Sequence, residues 1–235
     1  MIAAWKKEDP PPTRVKPIPI QVIRRIAFIA SNSNCAVAQA TSDMIILAFF
    51  FLLRPGEYTD SASDTQPFDL KAVQLFLGHH RLSLTTATDA ELLAASSGSL
   101  TFDRQKNGVR GEVIGLCTSG DPILCPIRAL ARRVIHLRAY NASPTTPLAR
   151  AYRSRTSTRS ITPSIITNTL QQAVALLGAD LGFLPQSTRY QLVVCAQLEL
   201  MPSYLPALTL TSSALSAAGV QMKCSDICTA KQRHS

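Results

Sequence analysis

The chain lacks a hydrophobic run long enough to cross a bilayer. Its longest, Met44 to Leu53, is ten residues. As a helix that spans about 15 Å, half of what a membrane core needs. Asp43 and Arg54 bracket it, so it reads as a core helix and no membrane partner is expected. A secretory leader is also lacking, because Lys6, Lys7, Glu8 and Asp9 interrupt the start. The six cysteines follow no framework, and reduced intracellular thiols are the default. Cys224 and Cys228 with His234 lack the second pair that zinc spacings require, so no metal and no cofactor is expected. Acid is scarce as well. Lys and Arg number 24 against 15 Asp and Glu, a net charge of +9. That balance disfavours polyanion repulsion and suits a nucleic-acid partner.

At 235 residues the chain has ample length for a core. Residues 1–20 read as a basic linker, since Pro10 to Pro12, Pro17 and Pro19 impose extended backbone. For a chain that opens on a linker, the expectation is that something once preceded it. Gln21 to Ile29 is a short basic amphipathic helix, with Val22, Ile23, Ile26 and Ala27 as its apolar stripe. Ala36 to Leu53 is a long buried helix. Pro55 disfavours a helical Arg54 and marks its end. Arg54 then either faces the helix dipole and pairs with Glu57, or is delivered to a surface or cleft.

Beyond Tyr58 the period changes. Phe68 to Phe76 alternates and predicts a strand, and Arg81 to Leu84 a second short piece. Asp89 to Ser97 is weakly helical or loop. Ser99 to Asp103 and Glu112 to Leu116 are strands joined by an Asn107-Gly108 turn. Lys106 sits at that hairpin tip, either as a solvated turn lysine or as a functional one. Pro126 to Tyr140 is a helix with Pro126 at its first position and Ile127, Leu130, Val134 and Leu137 facing inward. Arg128, Arg132, Arg133 and Arg138 lie largely elsewhere, as a phosphate-facing side or a plain solvated one. Arg150 to Arg159 is a flexible basic segment. Thr162-Pro163 opens a helix that runs from Ile165 to Leu177, where Gly178 closes it.

From Gln186 onward the pattern fails. Gln191 to Met222 contains one charged residue, Glu199, and no amphipathic plan. Local and global cues that disagree argue against a well-specified fold.

In order and spacing, these motifs resemble the catalytic domain of a tyrosine recombinase (phage-integrase type) of a mobile element. AFFFLLRPGEYT resembles the family's first signature box. LTFDRQKNGVRGEVI resembles its hairpin with the active-site lysine, and LCPIRALARRVIHLR the helix that follows. DPPPTRVKPIP resembles the linker after an N-terminal DNA-clamping domain, which this chain does not contain. The resemblance covers roughly Asp9 to Pro185. It implies an α+β, mainly α, recombinase-like core with a small antiparallel sheet, incomplete at its C-terminal side. It implies double-stranded DNA as partner, other protomers as further partners, and a nuclear or nucleoid location.

The family joins DNA through a phosphotyrosine, with arginines clamping the phosphoryl charge and a lysine protonating the leaving oxygen. By matching positions Arg54 is the first arginine, Lys106 the general acid and Glu57 the supporting carboxylate. Arg128, Arg132 and Arg133 are the expected DNA contacts. The family's His-x-x-Arg pair, Gly-Arg-Trp box and nucleophilic tyrosine are not found. Neither Tyr190 nor Tyr204 has the surrounding motif. A frameshift near Gln186 is the expected explanation. Thr209 to His234, back-translated with one choice of permissible codons and read one nucleotide earlier, can read TDIIRLVGRWRSDEMFRYLHSKATP. Ser187 to Val194 gives HSLPAGG where the family has HSLRAGG. Residues 186–235 are thus expected to be an out-of-frame, poorly ordered tail behind a catalytically inactive domain, 21–185. The loss of C-terminal helices is expected to leave Met44 to Leu53 under-covered.

Overall fold

The computed structural model describes residues 18–60, 67–102 and 111–177. The linker through residue 17, the Lys106 turn and the tail from residue 178 lie outside those residues. The described residues form a mixed α+β fold with six helices and a small antiparallel sheet.

Helix α1, Ile20–Ser31, buries the expected stripe of Val22, Ile23, Ile26 and Ala27, with Ala30 added. Helix α2, Ala36–Phe50, is buried on every side from Ala40 through Ala48, Thr41, Ser42 and Asp43 included, the pattern of a central helix. Met44 through Ala48 are at most 1% exposed. The expectation that Met44 to Leu53 is under-covered is therefore corrected for Met44 through Ala48, Phe51 and Leu53, while Phe49 and Phe50 are half-buried and Leu52 is exposed. Helices α1 and α5 and strand β5 pack around α2.

The predicted end of α2 at Leu53 is also corrected, to Phe50. Leu52 adopts a left-handed φ of 57°. The Leu53 N–H turns back to the Ala48 carbonyl at 3.0 Å, a Schellman-type closure made without glycine. Arg54 is extended before Pro55 (φ −77°, ψ 150°), as the residue preceding proline must be. A single turn, α3, follows at Pro55–Tyr58.

The strand predicted from Phe68 begins later. The Asp69 carboxylate accepts the Ala72 N–H at 3.2 Å and closes a 3-10 turn over Leu70–Ala72. Such local bonds compete with a ladder. Strand β1 is Val73–Leu77, and β2 is His80–Arg81. Helix α4, Asp89–Leu93, carries a capping box in which Thr88 and Glu91 satisfy each other's backbone N–H. Strands β3, Ser97–Phe102, and β4, Glu112–Cys117, pair antiparallel as expected, with Leu100 opposite Ile114. The sheet order is β2-β1-β3-β4. A Cβ on Gly98 would stand 2.9 Å from Leu75 Cδ2 and 3.1 Å from the Gln74 carbonyl. Glycine lets those strands close beneath Ile127.

Helix α5, Pro126–Ala139, lies between the sheet and α2. Ile127, Leu130, Val134 and Leu137 are buried as predicted, and so are Ala129, Ala131 and Arg133. Arg150 to Arg159, expected to be flexible, instead forms a hairpin of β5, Arg150–Tyr152, and β6, Thr158–Ser160. Helix α6, Pro163–Leu177, packs Ile166, Leu170, Ala173 and Val174 inward and lies on α1. One hydrophobic cluster joins all these layers. Among the described residues no helix is long and apolar enough to cross a membrane.

Candidate phosphate-binding site

Arg54 occupies the joint between α2 and α3. Its backbone is fixed on both sides. The Arg54 N–H donates to Glu57 Oε2 at 2.8 Å, and the Glu57 N–H donates to the Arg54 carbonyl at 2.8 Å. Glu57 itself is buried at 7% exposure. The guanidinium stays out. The Arg54 side chain is 57% exposed, and its nearest carboxylate oxygen, Glu57 Oε1, is 4.0 Å away. Because α2 ends at Phe50, Arg54 does not sit in its last turn to face the dipole, while the expected pairing with Glu57 is present at 4.0 Å. What remains is a rigid backbone presenting a cation that is only loosely engaged.

The four arginines of α5 do not form one face, and Arg138 is engaged by Asp89 and the Ala87 carbonyl. Arg128 is exposed. Arg132 is half-buried, and its Nε and Nη2 donate to Asp43 Oδ1 at 2.8 and 2.5 Å. Asp43 lies inside α2, its side chain 4% exposed. Burial pushes the Asp43 carboxyl up, and Arg132 pulls against that shift. Arg133 corrects the expectation outright. It is 2% exposed and donates Nε to the Leu148 carbonyl at 3.0 Å and Nη2 to the Arg150 carbonyl. Burial lowers its guanidinium to about 10, so it stays charged at neutral pH. A side chain so enclosed holds the β5 strand and meets no phosphate.

His136 completes that anchor. Its Nε2 accepts the Tyr152 N–H at 2.9 Å. Burial first, and the Arg133 charge second, lower it to about 4. A neutral ring accepting at Nε2 carries its proton on Nδ1. The sequence signal for these roles was weak, since periodicity alone places neither residue inside.

Three tyrosines fall among the described residues. Tyr58 is 2% exposed, and burial pushes its phenol up to about 12. Tyr140 and Tyr152 stack at 4.9 Å and 11°. None is an exposed, activated hydroxyl beside Arg54. Lys106, Tyr190 and Tyr204 lie outside the described residues. Among the described residues no group of three or more His, Cys, Asp or Glu is placed to hold a metal.

Comparison with protein-family models, with curated proteins and with solved structures finds no match to this chain.

Proposed function

We propose that the chain is a catalytically inactive tyrosine-recombinase or integrase-like domain that holds double-stranded DNA without joining it. The motif order from AFFFLLRPGEYT to LCPIRALARRVIHLR supports the reading. The observation that carries it is Arg54, an exposed guanidinium on a backbone locked by Glu57. An arginine so placed offers charge-assisted hydrogen bonds to a DNA phosphate with little ordering left to do. Arg128 adds to the basic surface, with Arg132 as a lesser contributor because Asp43 already engages it. Lys106 is the general acid of the parental chemistry. Without a second arginine or a nucleophile, integration and recombination do not proceed, because such residues act as a unit. The partner places the protein in a nucleus or nucleoid, alongside other recombinase protomers.

The test is fluorescence anisotropy of a labelled duplex at about 50 and about 200 mM salt, since phosphate contacts release counterions. Affinity is expected to fall steeply with salt and to weaken in Arg54→Ala. Binding that ignores salt, or no binding at low salt, would overturn the reading.

A further inference from the structure

The β5–β6 hairpin has a fixed root and a charged tip. At the root, Ala151 and Ile161 are fully buried. Arg133 holds the Leu148 and Arg150 carbonyls, and His136 holds the Tyr152 N–H. The tip closes on itself. The Arg153 N–H donates to the Ser157 carbonyl at 2.8 Å, and the Ser157 N–H to Ser154 Oγ at 3.1 Å. Arg153, Arg155 and Arg159 project from this frame and are exposed. No acidic residue occurs between Arg150 and Ser160. Arg150 approaches Asp60 at 4.0 Å, but among the described residues the other three arginines meet no carboxylate. Their field extends to the start of α2. The exposed Cys35 thiol is held below its usual value, first by the Ala38 N–H and also by the Arg153 and Arg159 charges.

Building on the DNA-binding reading, we propose that this hairpin is its main phosphate-gripping surface, through Arg153, Arg155 and Arg159. Arg153 and Arg155 at the turn, with Arg159 on β6 opposite Ala151, put three guanidiniums that meet no carboxylate among the described residues on one hairpin, which matches a polyanion. The spaces between them hold Ser154, Thr156, Ser157 and Thr158, whose hydroxyls also donate to phosphate oxygens. Duplex DNA fits better than the alternatives. A two-stranded ribbon enters a major groove about 12 Å wide. Single strands require exposed aromatics for base stacking, and the tip has none, since Tyr152 stacks on Tyr140 at the root. A membrane surface would favour apolar side chains at the tip, and residues 153–159 include none.

The experiment compares the whole chain with a triple variant, Arg153→Gln, Arg155→Gln and Arg159→Gln, and with the corresponding triple lysine variant. Each phosphate contact contributes about 0.9 to the slope of log affinity against log salt. The glutamine variant is expected to lower the slope by about 2.7 and the lysine variant to retain it. In parallel, bound duplex should slow alkylation of Cys35, read on its own peptide by mass spectrometry, and the glutamine variant should lose that protection. An unchanged slope in the glutamine variant would overturn this inference alone and leave the hairpin a solvated surface. Stronger competition by single strands or anionic vesicles than by duplex would overturn the choice of partner. No duplex binding by the unmodified chain would overturn both this inference and the reading beneath it.

Discussion

Replacing Arg133 by alanine tests how the basic hairpin is held. The side chain donates to two carbonyls, Leu148 O and Arg150 O, inside the protein. Truncation leaves both acceptors without that donor. Each orphaned buried group costs about 1–3 kcal/mol. The buried aliphatic stem is lost too, which leaves a void in the interior. Against this, the folded state no longer carries a guanidinium whose burial already lowers its proton affinity. The balance is a destabilisation of about 3 kcal/mol, near the lower range for breaking a buried charged network. Arg133→Met restores most of the volume but neither donor, so it should recover about 1 kcal/mol of the loss. Urea unfolding followed by circular dichroism reads both values. Trypsin reads the location, because a loosened root should speed cleavage after Arg153 and Arg155. A cost below about 1 kcal/mol for alanine, with unchanged tryptic cleavage, would refute the anchoring role.

Three further outcomes are expected. Arg132→Ala strands Asp43 as a buried acid and should cost about 3–5 kcal/mol at neutral pH. The folded Asp43 pKa is already raised, and losing Arg132 raises it further, so the penalty should shrink as pH falls and the acid becomes neutral. A pH-independent penalty in urea titrations would contradict this. His136 is lowered in the folded protein to about 4, so its contribution is fully present above about pH 6.5 and is lost as pH falls towards 4. His136→Gln should flatten that part of the stability–pH curve, and an unaltered curve would count against the Tyr152 contact. Leu52→Gly should raise the urea midpoint by about 1 kcal/mol in stability, because Leu52 is exposed and left-handed (φ 57°). A lowered midpoint would show that its side chain contributes more than its backbone conformation costs.

Periodicity made the α1 and α5 stripes and the β3–β4 pair legible, because each buries one face at a regular spacing. It failed where packing is two-sided. Arg133 falls off the apolar stripe of α5, yet that helix is enclosed by both the sheet and α2, and small Ala129 and Ala131 were the available hint. It failed again at Leu52, since no Gly or Asn marks the left-handed turn that stops α2 early. The β5–β6 hairpin has almost no apolar residues of its own. Its strands are set by Ala151, Tyr152 and Ile161 docking on other elements. Of the candidate site, the joint at Arg54 and Glu57 was legible through Pro55. The engagement of Arg132 by Asp43 was not, because the two residues are 89 positions apart.

The most direct measurement is covalent trapping on a nicked suicide duplex, run beside equilibrium binding of the same DNA. Salt-sensitive binding that weakens in Arg54→Ala is expected, with no protein–DNA adduct surviving denaturation. An adduct that forms with the unmodified chain and disappears in Arg54→Ala would contradict the claim of inactivity and reveal a nucleophile in the chain. Absence of any duplex binding would contradict the recombinase-type reading itself.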